Sequence, residues 1–261
     1  MSASLDFGVC RLAMVPVFDK PDYRSMQFNQ LLFGEHYEIT GSSENWVSIQ
    51  LAYDGSGGWI PQSQHHSISK EFFDQIGVSD YKITTDITAT LLYNKNPVSI
   101  LMGSIVPISN SELFKMEEQL AFMGESKSLS QKRDVEYLNA VLTKYSNASY
   151  LPGGKSPFGI DPAGLVQMVF KICGYKLPRN SEQQILAGTT IENFDKATPG
   201  DIIFLKKTGG NEIVPAVLQS AGKIILVDGF VKQERIDAKG VKPIGQKKYT
   251  WEIEAVRRVI G

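Results

Sequence analysis

The residues with the clearest chemical meaning lie where a helix is predicted to begin, at Asp161-Pro162-Ala163-Gly164. Asp is a favoured N-cap, and Pro suits the first helical position because its missing N–H would be unpaired there. A cysteine at such a position would be favoured as the thiolate by the helix dipole and the free N–H groups. A prolyl ring has no ionisable group, so the sequence predicts a helix start without a nucleophile.

A cysteine nucleophile also needs a general base within hydrogen-bond reach, most often an imidazole. The three histidines of the chain are His36, His65 and His66, and none follows residue 66. Cys173 lies on the same predicted helix as Pro162, but three turns place it about 16 Å along the axis. We therefore expect Cys173 to be a core thiol and not a substitute nucleophile.

The run from Tyr150 to Gln167 resembles the signature of the NlpC/P60 family of cysteine peptidases. That signature reads roughly Tyr-x-Trp-Gly-Gly, followed by Asp-Cys-Ser-Gly-Leu-Val. Pro152 stands at the position of the family's Trp, Pro162 at its catalytic Cys and Ala163 at its Ser. The resemblance implies a papain-like α+β domain that lacks the family nucleophile.

In the family, a Pro-Gly-Asp turn precedes the strand that carries the catalytic histidine, and this turn remains here as Pro199-Gly200-Asp201. When Gly222-Lys223-Ile224-Ile225 is aligned without gaps with the family's Gly-Lys-Ile-Ile, Val214 falls at the histidine position and Leu226 at the third catalytic position. A slip of one residue would place Pro215 at the histidine position, which is also apolar. We expect Pro162, Val214 and Leu226 to meet as an apolar cluster.

Three substrate-binding positions of the family also have counterparts. Tyr150 matches a tyrosine near the oxyanion, and packing is an equally good explanation for it. Asp161 matches an acid that helps to hold the amine of an N-terminal L-Ala, although helix capping explains it better. Ser181 matches a position that contacts the D-Glu of a stem peptide, and capping of the helix through Gln184 is the alternative.

Residues 1–68 are predicted to form a small β-barrel. Val47, Ile49 and Leu51 alternate with polar positions, as in a half-buried strand. The run from Gly34 to Ile39, with Trp46 and Trp59 beyond it, resembles bacterial SH3 (SH3b) domains that precede NlpC/P60 domains, and core packing is the simplest role for both tryptophans. Relatives use a loop Tyr against the ligand amine where this chain has Ser56.

The predicted organisation has four parts. They are an SH3b-like β-barrel over 1–68, a linker over 69–80 with a short helix, a second divergent SH3b-like β unit over 81–126, and an NlpC/P60-like α+β domain over 127–261. The first barrel is expected to pack against the α+β domain. A polar turn at 94–96 predicts a hairpin in the second unit, and the spacing of Val135, Leu138, Leu142 and Tyr145 predicts an amphipathic helix.

Composition narrows the function further. With 27 basic and 28 acidic residues, the chain has no global charge that would favour nucleic acid or an anionic membrane. Cys10 and Cys173 are too few for a disulfide framework or a metal site, and no cofactor is expected. The first residues lack the features of a secretory signal, and no run of about 20 apolar residues predicts a membrane span, so a cytoplasmic protein is expected.

Three functions remain open at this point. The first is a catalytically inactive pseudopeptidase that binds peptidoglycan-derived peptides or a partner protein. The second is a structural or regulatory subunit of an active relative. The third is an active cell-wall peptide hydrolase, a γ-D-glutamyl-diamino acid endopeptidase, that uses other groups. Loss of a thiolate–imidazole pair typically costs several orders of magnitude in rate, which weighs against the third.

Overall fold

The structure is a computed structural model that describes residues 7–78, 81–106, 120–243 and 245–261. The chain divides into two compact units, residues 1–131 and residues 132–261. The first unit is rich in strands, and the second combines a curled sheet with helices.

The first part of unit 1 is a seven-stranded antiparallel sheet, ordered β3-β2-β6-β5-β4-β1-β7. Its strands are β1 (Phe7–Val9), β2 (Met14–Phe18), β3 (Gln27–Leu32), β4 (His36–Ser43), β5 (Trp46–Leu51), β6 (Gly57–Pro61) and β7 (Ser67–Ile68). A 3-10 turn at Gln62–Gln64 joins the last two. Alternate residues of β5 are buried at Val47, Ile49 and Leu51, which confirms the pattern expected from the sequence.

The two tryptophans of this sheet have different environments. Trp46 is buried, yet it packs against Phe18 and Tyr23, at ring distances of 5.7 and 4.7 Å, and not in the main core cluster. Trp59 is only half-buried. Core packing is therefore confirmed for Trp46, although outside the main cluster, and not for Trp59, because β5 and β6 turn these side chains toward the opposite side from Val47 and Ile60.

Helix α1 (Lys70–Val78) follows and packs Phe73 on Phe7, with ring centroids 4.5 Å apart. The second β part contains six short strands. They are β8 (Lys82–Thr84), β9 (Thr88–Tyr93), β10 (Asn96–Leu101), β11 (Ile105–Val106), β12 (Leu120–Met123) and β13 (Ser126–Ser128), which form two three-stranded sheets. The predicted hairpin turn is confirmed, since Asn94 and Lys95 have positive φ between β9 and β10. Pro107, at the end of the second predicted β run, lies outside the described residues.

Phe33 connects the two β parts of unit 1. It follows β3, yet its fully buried ring packs in a cluster with Leu91, Ile100 and Val106 of the second part. The Phe33 carbonyl accepts a hydrogen bond from Ile105 N at 2.8 Å. These contacts make the two parts one compact unit.

Unit 2 begins with helix α2 (Val135–Lys144), capped by the Asp134 side chain on Tyr137 N. Leu138, Val141 and Leu142 are buried on one face, as the sequence predicts. The central helix α3 (Pro162–Ile172) is apolar on nearly all sides, and Gly174 ends it at φ +85°. A short helix α4 (Ser181–Gln184) completes the helical part.

The remaining strands of unit 2 are two hairpin strands and a larger sheet. They are β14 (Lys155–Ser156), β15 (Gly159–Ile160), β16 (Thr189–Thr190), β17 (Ile202–Lys207), β18 (Ile213–Ser220), β19 (Lys223–Asp228), β20 (Phe230–Asp237), β21 (Gly240–Lys242) and β22 (Trp251–Arg258). The larger sheet is ordered β16-β22-β17-β18-β19-β20-β21, and β21 also pairs with β22, so the sheet closes into a barrel. A 3-10 turn at Phe194–Lys196 lies beside it.

The sequence predicts strands from Ile202 to Lys206, from Ile213 to Gln219 and from Lys223 to Asp228, which β17, β18 and β19 confirm, but it does not predict β20, β21 and β22. Strand β20 carries four charged residues among its eight, so its pattern lacks the long apolar run of the others. The architecture is an α+β domain preceded by two small SH3-like β units, as expected from the sequence. In the part of the chain that the structure describes, no helix is both long and apolar enough to cross a membrane.

Candidate functional site

Helix α3 begins as the sequence predicts. Asp161 is the N-cap, with an extended backbone and a carboxylate Oδ1 that accepts a hydrogen bond from Gly164 N at 2.6 Å. Pro162 occupies the first helical position. The position that resembles the family nucleophile therefore holds a ring with no thiol, hydroxyl or titratable proton.

The Asp161 carboxylate makes three further bonds that hold the helix start in place. Its Oδ2 accepts from Gly153 N at 2.9 Å and from Arg179 Nη2 at 2.6 Å, while Oδ1 accepts from Arg179 Nη1 at 3.0 Å. The side chains of Arg179 and Asp161 are only 6% and 16% exposed. Each oxygen thus accepts two hydrogen bonds, in a two-pronged geometry that guanidinium groups favour. Capping explains Asp161 fully, and its amine-binding role stays a prediction.

Two glycines allow the β14–β15 hairpin to lie directly on the first turn of α3. A Cβ atom built on Gly164 would collide with the Gly154 carbonyl oxygen, and one built on Gly154 would collide with the Gly159 carbonyl. The Gly154 amide donates to the Leu151 carbonyl at 2.9 Å. Close approach of backbone to backbone, and not a special φ, is the reason for glycine at both positions.

Tyr150 lies beside this helix start with its ring half exposed to solvent, at 49%. Its backbone N donates to the Gly229 carbonyl at 2.9 Å, which fixes the segment to the turn between β19 and β20. Partial burial raises the pKa of the Tyr150 hydroxyl, and the Asp161 and Glu212 carboxylates raise it further. The phenol therefore stays protonated in an electronegative environment, where it can donate a hydrogen bond.

Ser181 does not cap helix α4, so the capping alternative for this residue is wrong. The helix starts at Ser181, and the N-cap is Asn180, whose side chain accepts from Gln183 N at 2.9 Å. Because Asn is as good an N-cap as Ser, the helix is capped one residue earlier than the alternative supposed. Ser181 is half-buried, and its contact with a peptide ligand stays a prediction.

Sequence reasoning missed two residues that hold the site together, Arg179 and Gln184. Gln184 is fully buried, and its Nε2 donates to the Ala163 carbonyl at 2.9 Å and to the Pro178 carbonyl at 2.8 Å. It therefore ties α4 to the first turn of α3. The only sequence signal for Arg179 was a basic residue in an otherwise neutral run, whose acidic partner lies 18 residues earlier.

Val214 and Leu226 both belong to the apolar cluster inside the closed sheet. Leu226 is fully buried and Val214 nearly so. The other buried members of this cluster come from the same barrel, and they are Ile203, Leu205, Ala216, Leu218, Ile224, Ile236, Val241, Trp251 and Val256. Pro162 is half-buried at the start of α3 and is not among its members. Two of the three positions share a cluster, and the convergence of all three stays a prediction.

The Pro199-Gly200-Asp201 turn has a second buried carboxylate–guanidinium pair. Asp201 is buried and accepts from Thr198 N at 2.8 Å, from Arg258 Nε at 2.8 Å and from Arg258 Nη2 at 2.7 Å. Gly200 adopts φ +91°, which only glycine adopts without strain. The turn thus fixes the start of β17 to the last strand of the barrel.

The remaining candidate groups lie away from the helix start. Cys173 is fully buried at the C-cap of α3, Cys10 is buried in unit 1, and neither forms a disulfide. All three histidines belong to unit 1, where His65 hydrogen-bonds Tyr37. Among the described residues, no group of three or more His, Cys, Asp or Glu side chains is arranged to hold a metal ion.

Comparison with known proteins identifies both halves of the chain. Residues 147–250 match the NlpC/P60 family model, and residues 17–64 match the model of the bacterial dipeptidyl-peptidase SH3 domain. The chain is 27% identical to a γ-D-glutamyl-L-lysine dipeptidyl-peptidase of Bacillus subtilis over 192 residues, which are 67% of this chain and 62% of that relative. It is 25% identical to dipeptidyl-peptidase 6 of Lysinibacillus sphaericus over 216 residues, which are 73% of this chain and 78% of that protein.

A solved structure has the same fold. An NlpC/P60 family protein from Bacillus cereus superimposes with a TM-score of 0.80, covering 98% of this chain and 100% of that one at 16% identity. The match spans both the strand-rich first unit and the α+β second unit. The two family models and this fold agree, so the chain contains a bacterial SH3 domain, matched at residues 17–64, and an NlpC/P60 domain, matched at residues 147–250.

Proposed function

We propose that this protein is an NlpC/P60 protein that does not hydrolyse peptides and that binds peptidoglycan-derived peptides. The observation that carries the proposal is the start of α3. Pro162 has no nucleophilic atom, and the carboxylate of the preceding residue, Asp161, is occupied by two backbone amides and Arg179. Acyl transfer from a peptide bond would need a thiolate or an activated hydroxyl at this point.

The positions matched to the general base and its partner support the same proposal. Residues 132–261 contain no histidine. Val214 and Leu226 are apolar and lie within a buried cluster, where a polar side chain without partners would be costly. Cys173 is buried at the opposite end of α3 from Pro162. The positions that the family resemblance matches to the nucleophile, the base and its partner hold Pro162, Val214 and Leu226, which supports the proposal.

The binding part of the proposal rests on an exposed apolar surface next to the helix start. Tyr150, Leu151 and Phe158 lie on the segments that flank β14 and β15, and Phe158 is 65% exposed. Contiguous exposed apolar side chains rimmed by polar groups are typical of ligand or protein-binding surfaces. Tyr150 adds a protonated hydroxyl in a field of negative charge, which suits an amine of the ligand.

The two curated relatives support the choice of ligand. The name of the Bacillus subtilis relative describes cleavage next to a γ-D-glutamyl-L-lysine unit, and that of the Lysinibacillus relative describes a dipeptidyl-peptidase. We therefore propose γ-D-glutamyl-diamino acid peptides as the ligand class, with Tyr150, Asp161 and Ser181 as contacting residues. The free amine of such a peptide is complementary to the Tyr150 hydroxyl, and its aliphatic part is complementary to the exposed ring of Phe158.

Hydrolysis is tested by incubating the purified protein with L-Ala-γ-D-Glu-diaminopimelate and separating the products by chromatography. We expect no turnover above that of a buffer blank. A Cys173→Ser variant serves as the control for residual thiol chemistry. Turnover that survives both this substitution and removal of contaminating peptidases would contradict the proposal and favour an active hydrolase.

Binding is tested by calorimetric titration with the same peptide. Phe158→Ala and Tyr150→Phe should each weaken binding, by about tenfold for loss of a buried aromatic contact. Met123→Ala is the matched control, because Met123 is as exposed as Phe158 but belongs to unit 1. An equal loss of affinity in the Met123→Ala control, or no heat of binding with the peptide, would contradict the binding proposal.

A subunit role is the alternative that the same exposed surface allows, with an active relative as its partner. This alternative is tested by mixing the protein with an active NlpC/P60 hydrolase and measuring the kcat of the hydrolase. A change in kcat that Phe158→Ala abolishes, without peptide binding by this chain, would favour that alternative.

A further inference from the structure

Three basic side chains form one row across neighbouring strands of the barrel in unit 2. Lys223 of β19 pairs in register with Arg235 of β20, and Arg235 pairs in register with Lys242 of β21. Residues directly opposite in an antiparallel pair point to the same face, with Cβ atoms about 5 Å apart. Their neighbours Ile224 and Ile236 point into the barrel, so the row lies on its outer face.

This row is electrostatically unfavourable without a counter-ion. Like charges directly opposite on adjacent strands destabilise a sheet. All three side chains are exposed, and none makes an ion pair with a described residue. Neighbouring Lys232 is different, because it pairs with Asp228 at 2.9 Å and Glu234 at 3.8 Å. The sequence thus neutralises one cation of β20 and leaves the row positive.

One carboxylate, Asp237, lies on the same face two residues beyond Arg235. Its Oδ2 accepts from the Tyr249 hydroxyl at 2.7 Å, and its Oδ1 accepts from Lys239 N at 2.8 Å. These hydrogen bonds, the Tyr249 bond first, hold the pKa of Asp237 below its usual value. With Asp237 counted against the three cations of the row, this surface has a net charge of +2.

The row borders a cavity of about 480 Å³, whose charged lining residues are Arg235, Lys242 and Asp237. Gly222, Gly245 and Gln246 are among its other lining residues, and Lys223 follows Gly222 in the chain, beside the cavity. A Cβ atom on Gly245 would meet nothing within 4 Å, so this wall leaves backbone accessible. A volume of this size lies within the range of small-molecule sites. The cavity is open to solvent and has basic side chains at its rim.

The cavity is separate from the helix start. It lies at the end of the β19–β20 hairpin near Lys223, whereas Tyr150 contacts Gly229 at the turn of that hairpin. Five residues of strand lie between Lys223 and Gly229, so about 20 Å separates the two. The site is therefore independent of the proposed peptide surface.

We propose that this cavity binds a phosphate group, with Arg235 holding two of its oxygens and Lys223 and Lys242 placed on either side as point charges. A guanidinium fork matches phosphate in two-pronged geometry, and lysine adds charge without fixed direction. A phosphate monoester carries up to two negative charges, which equals the net charge of the row and Asp237 together, whereas a single carboxylate carries one. The ligand can be a small phosphate ester or a phosphodiester chain.

The experiment is calorimetric titration of the full chain with inorganic pyrophosphate, with a glycerol phosphodiester oligomer and with citrate. Pyrophosphate tighter than the oligomer would identify a small phosphate, and the reverse would identify a chain. Binding should weaken as salt rises, because the contacts are exposed ion pairs. Citrate binding as tightly as both phosphate ligands, or no binding of either, would overturn the proposal.

Variants sharpen the test. Arg235→Gln should weaken phosphate binding about tenfold or more, because it removes a two-pronged hydrogen bond from a charged group. The affinity of Arg235→Lys should lie between those of the wild type and Arg235→Gln. Lys196→Gln with Lys207→Gln removes two charges elsewhere in unit 2 and should change affinity less than twofold. A further readout is the melting temperature without phosphate, which Arg235→Gln should raise because it relieves repulsion. An equal loss of affinity in the control pair would show only nonspecific charge attraction and would refute the site.

Discussion

The start of helix α3 and the interior of the barrel differ in how they treat the positions that resemble a catalytic centre. At the helix start, Asp161 keeps a dense polar network with Gly153, Gly164 and Arg179 around Pro162. In the barrel, Val214 and Leu226 belong to a cluster of buried apolar side chains, although Lys232 is the cross-strand partner of Leu226. The first region is built around an ion pair, and the second around apolar contacts.

The difference shows which polar groups serve the backbone and which would serve a reaction. The Asp161 carboxylate stabilises the N-terminus of a buried helix and positions a hairpin, so its loss would disturb the fold. A histidine at position 214 would have no such structural task. Groups that hold the fold are therefore present at the helix start, whereas positions 214 and 226 hold apolar side chains.

The largest effect should come from breaking the polar network. Arg179→Met leaves the Asp161 carboxylate half-paired in a mostly buried place, and we expect a loss of about 3–5 kcal/mol in the free energy of unfolding. Chemical denaturation with urea measures it. Arg258→Met tests the comparable pair at Asp201, and it should cost less because the Arg258 side chain is more exposed. Asn180→Ala, a cap without an ion pair, should cost about 1 kcal/mol.

A histidine in the barrel should have the next largest effect. Val214→His places a larger, polar ring among apolar side chains, and we expect a loss of about 2–4 kcal/mol and no hydrolysis. Burial would lower the pKa of this imidazole below its unfolded value of about 6.5, so the protein should lose stability as pH falls below that value. Thermal unfolding between pH 5 and pH 8 measures it.

Full restoration of the family residues provides the stricter test. Pro162→Cys, Val214→His and Leu226→His together should still give little turnover, because Ala163, Pro152 and Ser56 also depart from the family pattern. Family-like rates in the triple variant, or full stability in Val214→His, would mean that the two regions differ less than the contacts indicate.

The contact between the hairpin and the helix should be sensitive to a single methyl group. Gly164→Ala would press a Cβ atom against the Gly154 carbonyl oxygen, and overpacking of this kind costs about 1–3 kcal/mol. Gly77→Ala in helix α1 is the control, because a Cβ atom at Gly77 would meet nothing within 4 Å. A Gly164→Ala protein that melts with the wild type would contradict the close packing.

The smallest effects compare two buried tyrosines. Tyr37 hydrogen-bonds His65 Nδ1 at 3.0 Å, whereas the fully buried Tyr145 hydroxyl has no hydrogen-bond partner among the described residues. Tyr37→Phe should cost about 1 kcal/mol, and Tyr145→Phe should be neutral or slightly stabilising. Urea denaturation at pH 7 decides between these outcomes, and an equal loss in both variants would contradict the difference in pairing.

The same tyrosines predict an alkaline limit to stability. Burial raises the pKa of Tyr145, and burial followed by the nearby Cys10 raises that of Tyr37. Because the unfolded chain ionises first, at about pH 10, stability should be lost as pH rises above that value. Tyr145→Phe should make this loss shallower, and a parallel decline in variant and wild type would show that the tyrosine is not responsible.

Much of the local structure was predictable because it depends on residues close in sequence. The cap at Asp161, the end of α3 at Gly174, the amphipathic face of α2 and the alternation of β5 each follow from patterns within a few residues. The cap of α4 was predicted one residue too late, at Ser181 and not Asn180, since both residue types suit an N-cap.

The sequence alone determined that the start of α3 has no nucleophile and that no histidine follows residue 66, because these are facts of residue type and order. Only the tertiary structure showed that Arg179 and Gln184 hold that helix start and that β20, β21 and β22 close the barrel around Val214 and Leu226. The row of Lys223, Arg235 and Lys242 also emerged only there. The physical reason is that ion pairs and strand register join residues far apart in the chain, and no local pattern encodes which partner a side chain meets.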